Sequence, residues 1–137
     1  MEQKLILYPA FLMIVLTFFL YVKNYLDNTK AAKDKALKFS YFKAYSGDVP
    51  EYIAVSRQTL KNQFELPILF YFTVSIVLIF DKVSQLDLIF SWLFTISRYI
   101  HCYIRLSSNY IPYRAKVFSL GLLILIVWWI YFLYNIL

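Results

Sequence analysis

The sequence predicts an all-α integral membrane protein, a four-helix up-down bundle. Its composition, its long apolar runs and the placement of its basic residues predict this class. The 137 residues are 61% hydrophobic and 16% charged, whereas soluble domains are about half apolar and about a quarter charged. The apolar content excludes a disordered chain. The single cysteine excludes a disulfide framework or a cysteine-rich metal site.

The first apolar run extends from Leu5 to Val22 and carries no charge. It approaches the roughly 20 residues that cross a bilayer core of about 30 Å. It is too long for a signal peptide and lacks a cleavage site, so it predicts a retained transmembrane helix over residues 5–26. Within the polar stretch that follows, Ala31 to Leu37 favours helix, and part of it either extends the first helix or lies on the membrane surface.

Three further transmembrane helices are predicted, over residues 52–80, 86–107 and 116–137. Ser46 to Pro50 is typical of a turn, and Pro50 suits the start of the second helix. Short second and third connections predict antiparallel neighbours, and the whole chain forms one domain. Trp128, Trp129, Tyr131 and Tyr134 near the end of the fourth helix are typical of an interfacial aromatic belt.

The basic residues predict an orientation. All Lys and Arg except Lys4 and Lys82 lie in or beside the first and third loops. The positive-inside rule therefore places both termini on the non-cytoplasmic side. This asymmetry explains the net charge of +6 without a nucleic-acid partner, and the basic loops suit anionic membrane lipids.

Several polar or ionisable residues interrupt the second and third apolar helices. They are Arg57, Asn62, Glu65, Arg98, His101 and Arg105. The spacing places Asn62 and Glu65 on one face of the second helix and Arg98, His101 and Arg105 on one face of the third. Ionisable groups avoid hydrocarbon, so both faces should point into the bundle. Glu65 and Arg98 form the predicted intramembrane ion pair.

Two interpretations of this polar face remain open. A buried Glu–Arg pair with a His and an Asn serves helix packing alone. Alternatively, four arginines near a single Glu65 form an anion-binding cleft, because guanidinium groups bind carboxylates bidentately. A metal site is not predicted, since His101 has no second ligand at suitable spacing. Cys102 is expected to be inert.

Two motifs then resemble one family. Arg57 and the segment 62–71, NQFELPILFY, resemble the second-helix motif of the MAPEG family, membrane-associated proteins in eicosanoid and glutathione metabolism. The form of this segment is most similar to the small bacterial members, which implies a bacterial inner membrane. The third-helix and third-loop pattern is also similar, with Arg98, His101, Arg114, Phe118 and Gly121.

The resemblance implies a homotrimer with active sites between subunits and glutathione as cosubstrate. It also implies lipophilic substrates that arrive from the membrane. Arg114 would be the catalytic residue, which stabilises the glutathione thiolate. Arg105 stands where family members often have tyrosine. The implied glutathione cradle consists of Arg57, Asn62, Glu65, Arg98 and His101.

The leading functional prediction is a membrane-bound glutathione transferase or peroxidase that acts on lipophilic electrophiles. A non-catalytic MAPEG-like protein, with a role in assembly or lipid binding, is the alternative. A small transporter is a third possibility, but the sequence has no repeats of the kind common in transporters.

Overall fold

The computed structural model describes residues 3–81 and 83–136, and within them the chain is helical with no strand. Met1, Glu2, Lys82 and Leu137, which the predictions place beside or within the membrane helices, lie outside these residues. Two short 3-10 segments accompany the helices, Gln3–Ile6 and Asn62–Phe64. The helices are α1 (Leu7–Lys33), α2 (Tyr41–Ala44), α3 (Glu51–Lys61), α4 (Leu66–Ile79), α5 (Gln85–Leu106) and α6 (Ile111–Ile136).

Helix α1 continues beyond the predicted end at residue 26 and stops at Lys33. Part of the polar stretch therefore extends the first helix. Lys35 then adopts a left-handed backbone, with φ at 55°. The Ala36 N–H donates to the Ala31 carbonyl at 2.8 Å and the Lys35 N–H to the Ala32 carbonyl at 3.1 Å. This pair of bonds is the Schellman termination, here with lysine at the position that glycine usually occupies.

The predicted second helix is interrupted in the middle rather than continuous. Helix α3 tightens into the 3-10 segment Asn62–Phe64, and Glu65 breaks the helical path with φ and ψ near −108° and −103°. Pro67 explains the break, because its ring lacks an N–H and would clash with the carbonyl of Gln63 in a regular helix. Helix α4 then starts with Pro67 in its first turn. The break leaves main-chain carbonyls available to neighbouring groups.

Helices α5 and α6 run antiparallel and approach closely. The Trp128 indole donates to Asp87 near one end of the pair, and the His101 ring lies 5.6 Å from the Phe118 ring near the other. Between them, a Cβ on Gly121 would lie only 3.1 Å from the Ser97 Oγ. Helix α6 begins at Ile111 rather than 116, because Pro112 is compatible with a first helical turn.

The helices form the predicted up-down bundle. Helix α1 packs against α3 and α5, and α4 packs against α6 and α5. Phe70 of α4 stacks on Phe94 of α5 with ring centroids 4.8 Å apart. The main core is apolar and consists of Ile6, Ala10, Met13, Leu66, Phe70, Val74, Val77, Phe94, Leu125, Trp128 and Phe132. We call the end that carries the first loop (34–50) and the third loop (107–110) the basic end.

Three segments of the described chain are long and apolar enough to cross a membrane: Lys4–Lys33, Glu51–Ile79 and Ile111–Ile136. Helix α5 has 22 residues, which is a length of about 33 Å at 1.5 Å per residue. Its polar residues, including Arg98 and Arg105, lie on the buried face, while apolar side chains such as Ile96 and Ile100 point outward. The fold class is therefore confirmed, and the fourth span stays a prediction.

Candidate functional site

A cavity of about 360 Å³ lies near the basic end, between the break after α3, helix α5 and the start of α6. We call it the arginine cavity. Its wall includes four residues that the sequence singled out for glutathione, Asn62, Glu65, His101 and Arg114, together with Arg105. The remaining lining residues are Ala115, Phe118 and Ser119.

Arg98 and His101 are almost completely buried, at 1% and 2% exposure. The Arg98 Nη2 donates to the Asn62 carbonyl across a long 3.5 Å, so it meets a backbone group at the helix break. Its Nε and Nη1, and the His101 Nδ1, have no hydrogen-bond partner among the described residues. Buried guanidinium nitrogens without partners destabilise the fold, which makes these atoms candidates for ligand binding.

Arg105 is tied to helix α3. Its Nε donates to the Thr59 Oγ1 at 3.1 Å, and its Nη2 donates to the Gln58 Oε1 at 2.9 Å. These two neutral partners orient the guanidinium without neutralising its charge. Arg105 therefore brings a fixed positive charge to the wall of the cavity.

Arg114 is positioned by the third loop. Its Nη1 donates to the Asn109 Oδ1 at 2.7 Å. Asn109 has a left-handed backbone, with φ at 48°, and its N–H donates to the Ile104 carbonyl at 2.7 Å. Asparagine tolerates this conformation better than most residues. The end of α5 thus sets the place of Arg114 on α6.

Two of the predicted arginines do not line the cavity. The Arg57 guanidinium lies over the ring of Tyr45, with its carbon 3.0 Å from the ring centroid. Tyr45 belongs to the first loop and has a left-handed backbone, with φ at 53°. Arg98 lies behind the wall, its guanidinium carbon 5.5 Å from the centroid of Phe118. Among the described residues that line the cavity, Arg105 and Arg114 supply the positive charges.

The predicted ion pair between Glu65 and Arg98 is wrong for the single chain. The ion pair found among residues 3–81 and 83–136 joins Lys23 and Asp27 at 2.8 Å. Glu65 sits at the helix break and is exposed, so its side chain is not directed onto α5 as an unbroken helix would direct it.

The charges of the cavity favour an anionic or zwitterionic ligand. The wall of the cavity contains one carboxylate, Glu65, and two guanidinium groups, Arg105 and Arg114, and Arg98 is buried behind it. These charges attract a ligand that carries the opposite charges. The described residues contain no group of three or more His, Cys, Asp or Glu side chains that could hold a metal ion.

The sequence reasoning missed a partly buried polar cluster at the opposite end of the bundle. We call it the capping cluster: Ser84, Asp87, Trp128 and Tyr131. Ser84 caps α5 in a capping box with Asp87, and the spacing Ser-x-x-Asp was the signal that could have identified it. Trp128, predicted to lie in an interfacial belt, is fully buried, because its indole N–H donates to the Asp87 carboxylate at 2.7 Å.

Fold and site together define an integral membrane helical-bundle protein with a basic cavity near one end. A family model described as the MAPEG family matches residues 6–134, nearly the whole chain. The chain therefore belongs to the MAPEG family. No curated protein and no solved structure matches it.

Proposed function

We propose that this protein is a membrane-bound glutathione-dependent transferase or peroxidase that acts on lipophilic electrophiles. The arginine cavity carries the proposal, because it gathers one carboxylate and two guanidinium groups beside buried donors that lack partners. Glutathione carries two carboxylates, one ammonium and one thiol. Family membership supports the same ligand, since the MAPEG family is broadly associated with glutathione.

The proposed roles follow the charges. Glu65 binds the γ-glutamyl ammonium group, and Arg98 and Arg105 bind carboxylates, with Asn62 and His101 completing the hydrogen bonds. For Arg57 to join this cradle, its guanidinium has to leave the ring of Tyr45.

Arg114 is the proposed catalytic residue. A cation next to a thiol favours the thiolate, which is the nucleophilic form. The thiolate sulfur then attacks the electrophilic atom of a substrate dissolved in the bilayer. Asn109 keeps the Arg114 guanidinium in place through its 2.7 Å hydrogen bond.

The assembly proposed is a homotrimer with the sites between subunits. The partnerless nitrogens of Arg98 and His101 are compatible with a site that a ligand or a neighbouring subunit completes. With both termini on the non-cytoplasmic side of a bacterial inner membrane, the basic end faces the cytoplasm, where glutathione is available.

The catalytic test compares two cations of α6 that are two residues apart. Arg114 lines the cavity, whereas Lys116 is exposed and does not. We expect Arg114→Ala to lower the rate of conjugation of glutathione with a generic electrophile at least tenfold, about 1.4 kcal/mol. Lys116→Ala should leave the rate within about twofold. Equal rates for the wild type and Arg114→Ala would contradict the role of Arg114.

A binding measurement separates the enzyme from a non-catalytic member of the family. A ligand that binds only the folded protein raises its melting temperature. We expect millimolar glutathione to stabilise the purified protein in detergent, and oxidised or thiol-blocked analogues to compete. If glutathione leaves the melting temperature unchanged, the scaffold serves assembly or lipid binding instead.

A further inference from the structure

A second pair of cavities lies on another side of α5, where it meets α1 and α3. The first is an apolar groove of about 600 Å³, lined by side chains that include Val15, Phe19, Tyr99 and Tyr103. The second is a polar pocket of about 500 Å³, whose wall includes Glu51 and Arg105. Both volumes lie in the range of pockets that hold one small ligand.

The groove and the polar pocket adjoin each other. Lys23, Leu106 and Ser107 line both of them. Lys23 follows directly after the uncharged run of α1 that ends at Val22, so the groove lies along the apolar part of the bundle and the pocket at its polar boundary. A site with one apolar and one charged half matches an amphiphile that stands in the bilayer with its headgroup at the basic end.

The polar pocket offers charges of both signs. Lys23 and Arg105 are cationic, and Glu51 is anionic. The Lys23 ammonium has three N–H donors, and one of them donates to Asp27. Arg105 uses its Nε and Nη2 on helix α3. Donors therefore remain for a phosphate group, and the Glu51 carboxylate suits an ammonium group, so the charges match a zwitterionic headgroup rather than a simple fatty-acid carboxylate.

We propose that this face binds a single-chain phospholipid with a phosphoethanolamine headgroup. The acyl chain occupies the groove, Lys23 and Arg105 contact the phosphate, and Glu51 contacts the ammonium. This site is separate from the arginine cavity and shares only Arg105 with it. The proposal does not depend on glutathione binding.

The test uses lysophosphatidylethanolamine with a photoreactive diazirine in its acyl chain, added to the purified full-length protein in detergent. We expect saturable labelling of α1 and α5 peptides that contain groove residues, competed by excess unlabelled lysophosphatidylethanolamine. Val15→Trp fills the groove and should lower this labelling at least fivefold. Val127→Trp is the matched control, since Val127 on α6 is 42% exposed and Val15 is 41% exposed, and it should have no effect.

Even labelling of all outward-facing helices, unaffected by Val15→Trp, would mean ordinary bilayer contact and would overturn the proposal. A second copy of the chain would cover the groove if its peptides stay unlabelled and the Val15→Trp variant loses its oligomeric state. That result would also overturn the proposal.

The headgroup is tested with two substitutions of polar-pocket residues that keep the apolar side chains of the groove. Lys23→Ala should weaken labelling by phosphate-bearing probes at least threefold but not labelling by a diazirine fatty acid. Glu51→Gln should remove the preference for the ethanolamine probe over a lysophosphatidylglycerol probe. If neither substitution changes the ranking of the three probes, the polar pocket does not bind a headgroup and the proposal fails.

Discussion

The two ends of the bundle both bury polar side chains, but they differ in whether these side chains have hydrogen-bond partners. In the capping cluster each polar group has a partner within the chain. At the arginine cavity, buried donors remain without one. Because an unpaired buried polar group destabilises a fold, the first arrangement is explained by stability alone and the second is not.

The capping cluster is saturated. One oxygen of Asp87 accepts from the Ser84 N–H at 2.8 Å and from the Ser84 hydroxyl at 2.5 Å, and the other accepts from Trp128. The Tyr131 hydroxyl donates to Ser84 at 3.0 Å. These bonds cap α5 and fasten it to α6, so this end of the bundle has a structural role.

The polar groups near the arginine cavity, in contrast, have few hydrogen-bond partners. Arg98 reaches a single carbonyl at 3.5 Å, and its Nε and Nη1 have no partner among the described residues. Such a region loses stability in the absence of a ligand and regains it on binding. The comparison thus separates a polar cluster that holds the fold from one that is suited to a ligand.

The largest effect on stability is expected at the capping cluster. Asp87→Ala leaves the Trp128 N–H buried without an acceptor, a loss of about 1–3 kcal/mol, and removes half of the capping box, a further 0.5–2 kcal/mol or so. We expect the free energy of unfolding to fall by roughly 2–4 kcal/mol, measured by denaturant or thermal unfolding in detergent. Glutathione should stabilise the variant and the wild type by the same increment.

Asp87→Asn is the control, because it keeps an acceptor oxygen for Trp128 and should lose less than half as much stability. If Asp87→Ala instead abolished the response to glutathione, the two ends of the bundle would not be functionally distinct.

The second prediction concerns a substitution that should leave the stability of the unliganded protein unchanged or raise it. Arg98→Met removes a buried charge that has few partners, and such replacements are often neutral or stabilising. We expect the unliganded variant to melt at the same temperature as the wild type or higher, while its stabilisation by glutathione falls below half. Arg105→Met is the matched comparison: it leaves Thr59 and Gln58 without their donor, and should lower the unliganded melting temperature.

A strong destabilisation of unliganded Arg98→Met would show that Arg98 holds the fold, as Asp87 does. The contrast between the two ends would then disappear.

Helical spacing predicted the α5 side of the site well. Offsets of three and four residues place Arg98, His101 and Arg105 on one face, and all three are buried there. The α3 side was predicted less well, because Pro67 acts on the chain before it. The break displaces Glu65 from the face that an unbroken helix would give it, and a sequence pattern that assumes regular helix does not contain that displacement.

Contacts between segments that are distant in the chain could not be predicted from the sequence. Nothing in the local pattern indicates that Tyr45 in the first loop stacks on Arg57, or that Trp128 turns inward to Asp87. Tryptophan near a helix end is favourable in a membrane interface and also as a buried donor. The choice depends on whether an acceptor lies opposite, which only the packing of α5 on α6 decides.

The smallest effect is expected at Asn109, which links the loop after α5 to the cavity. Asn109→Gly keeps the left-handed backbone accessible but removes the acceptor for Arg114, so we expect the glutathione-dependent rate to fall about two- to fivefold with little change in melting temperature. Asn109→Ala should lower the rate similarly and also destabilise the protein by up to about 1 kcal/mol, because alanine lacks the short polar side chain that lets asparagine adopt the left-handed conformation. An undiminished rate in Asn109→Gly would mean that α6 alone positions Arg114, and that the third loop contributes only to the fold.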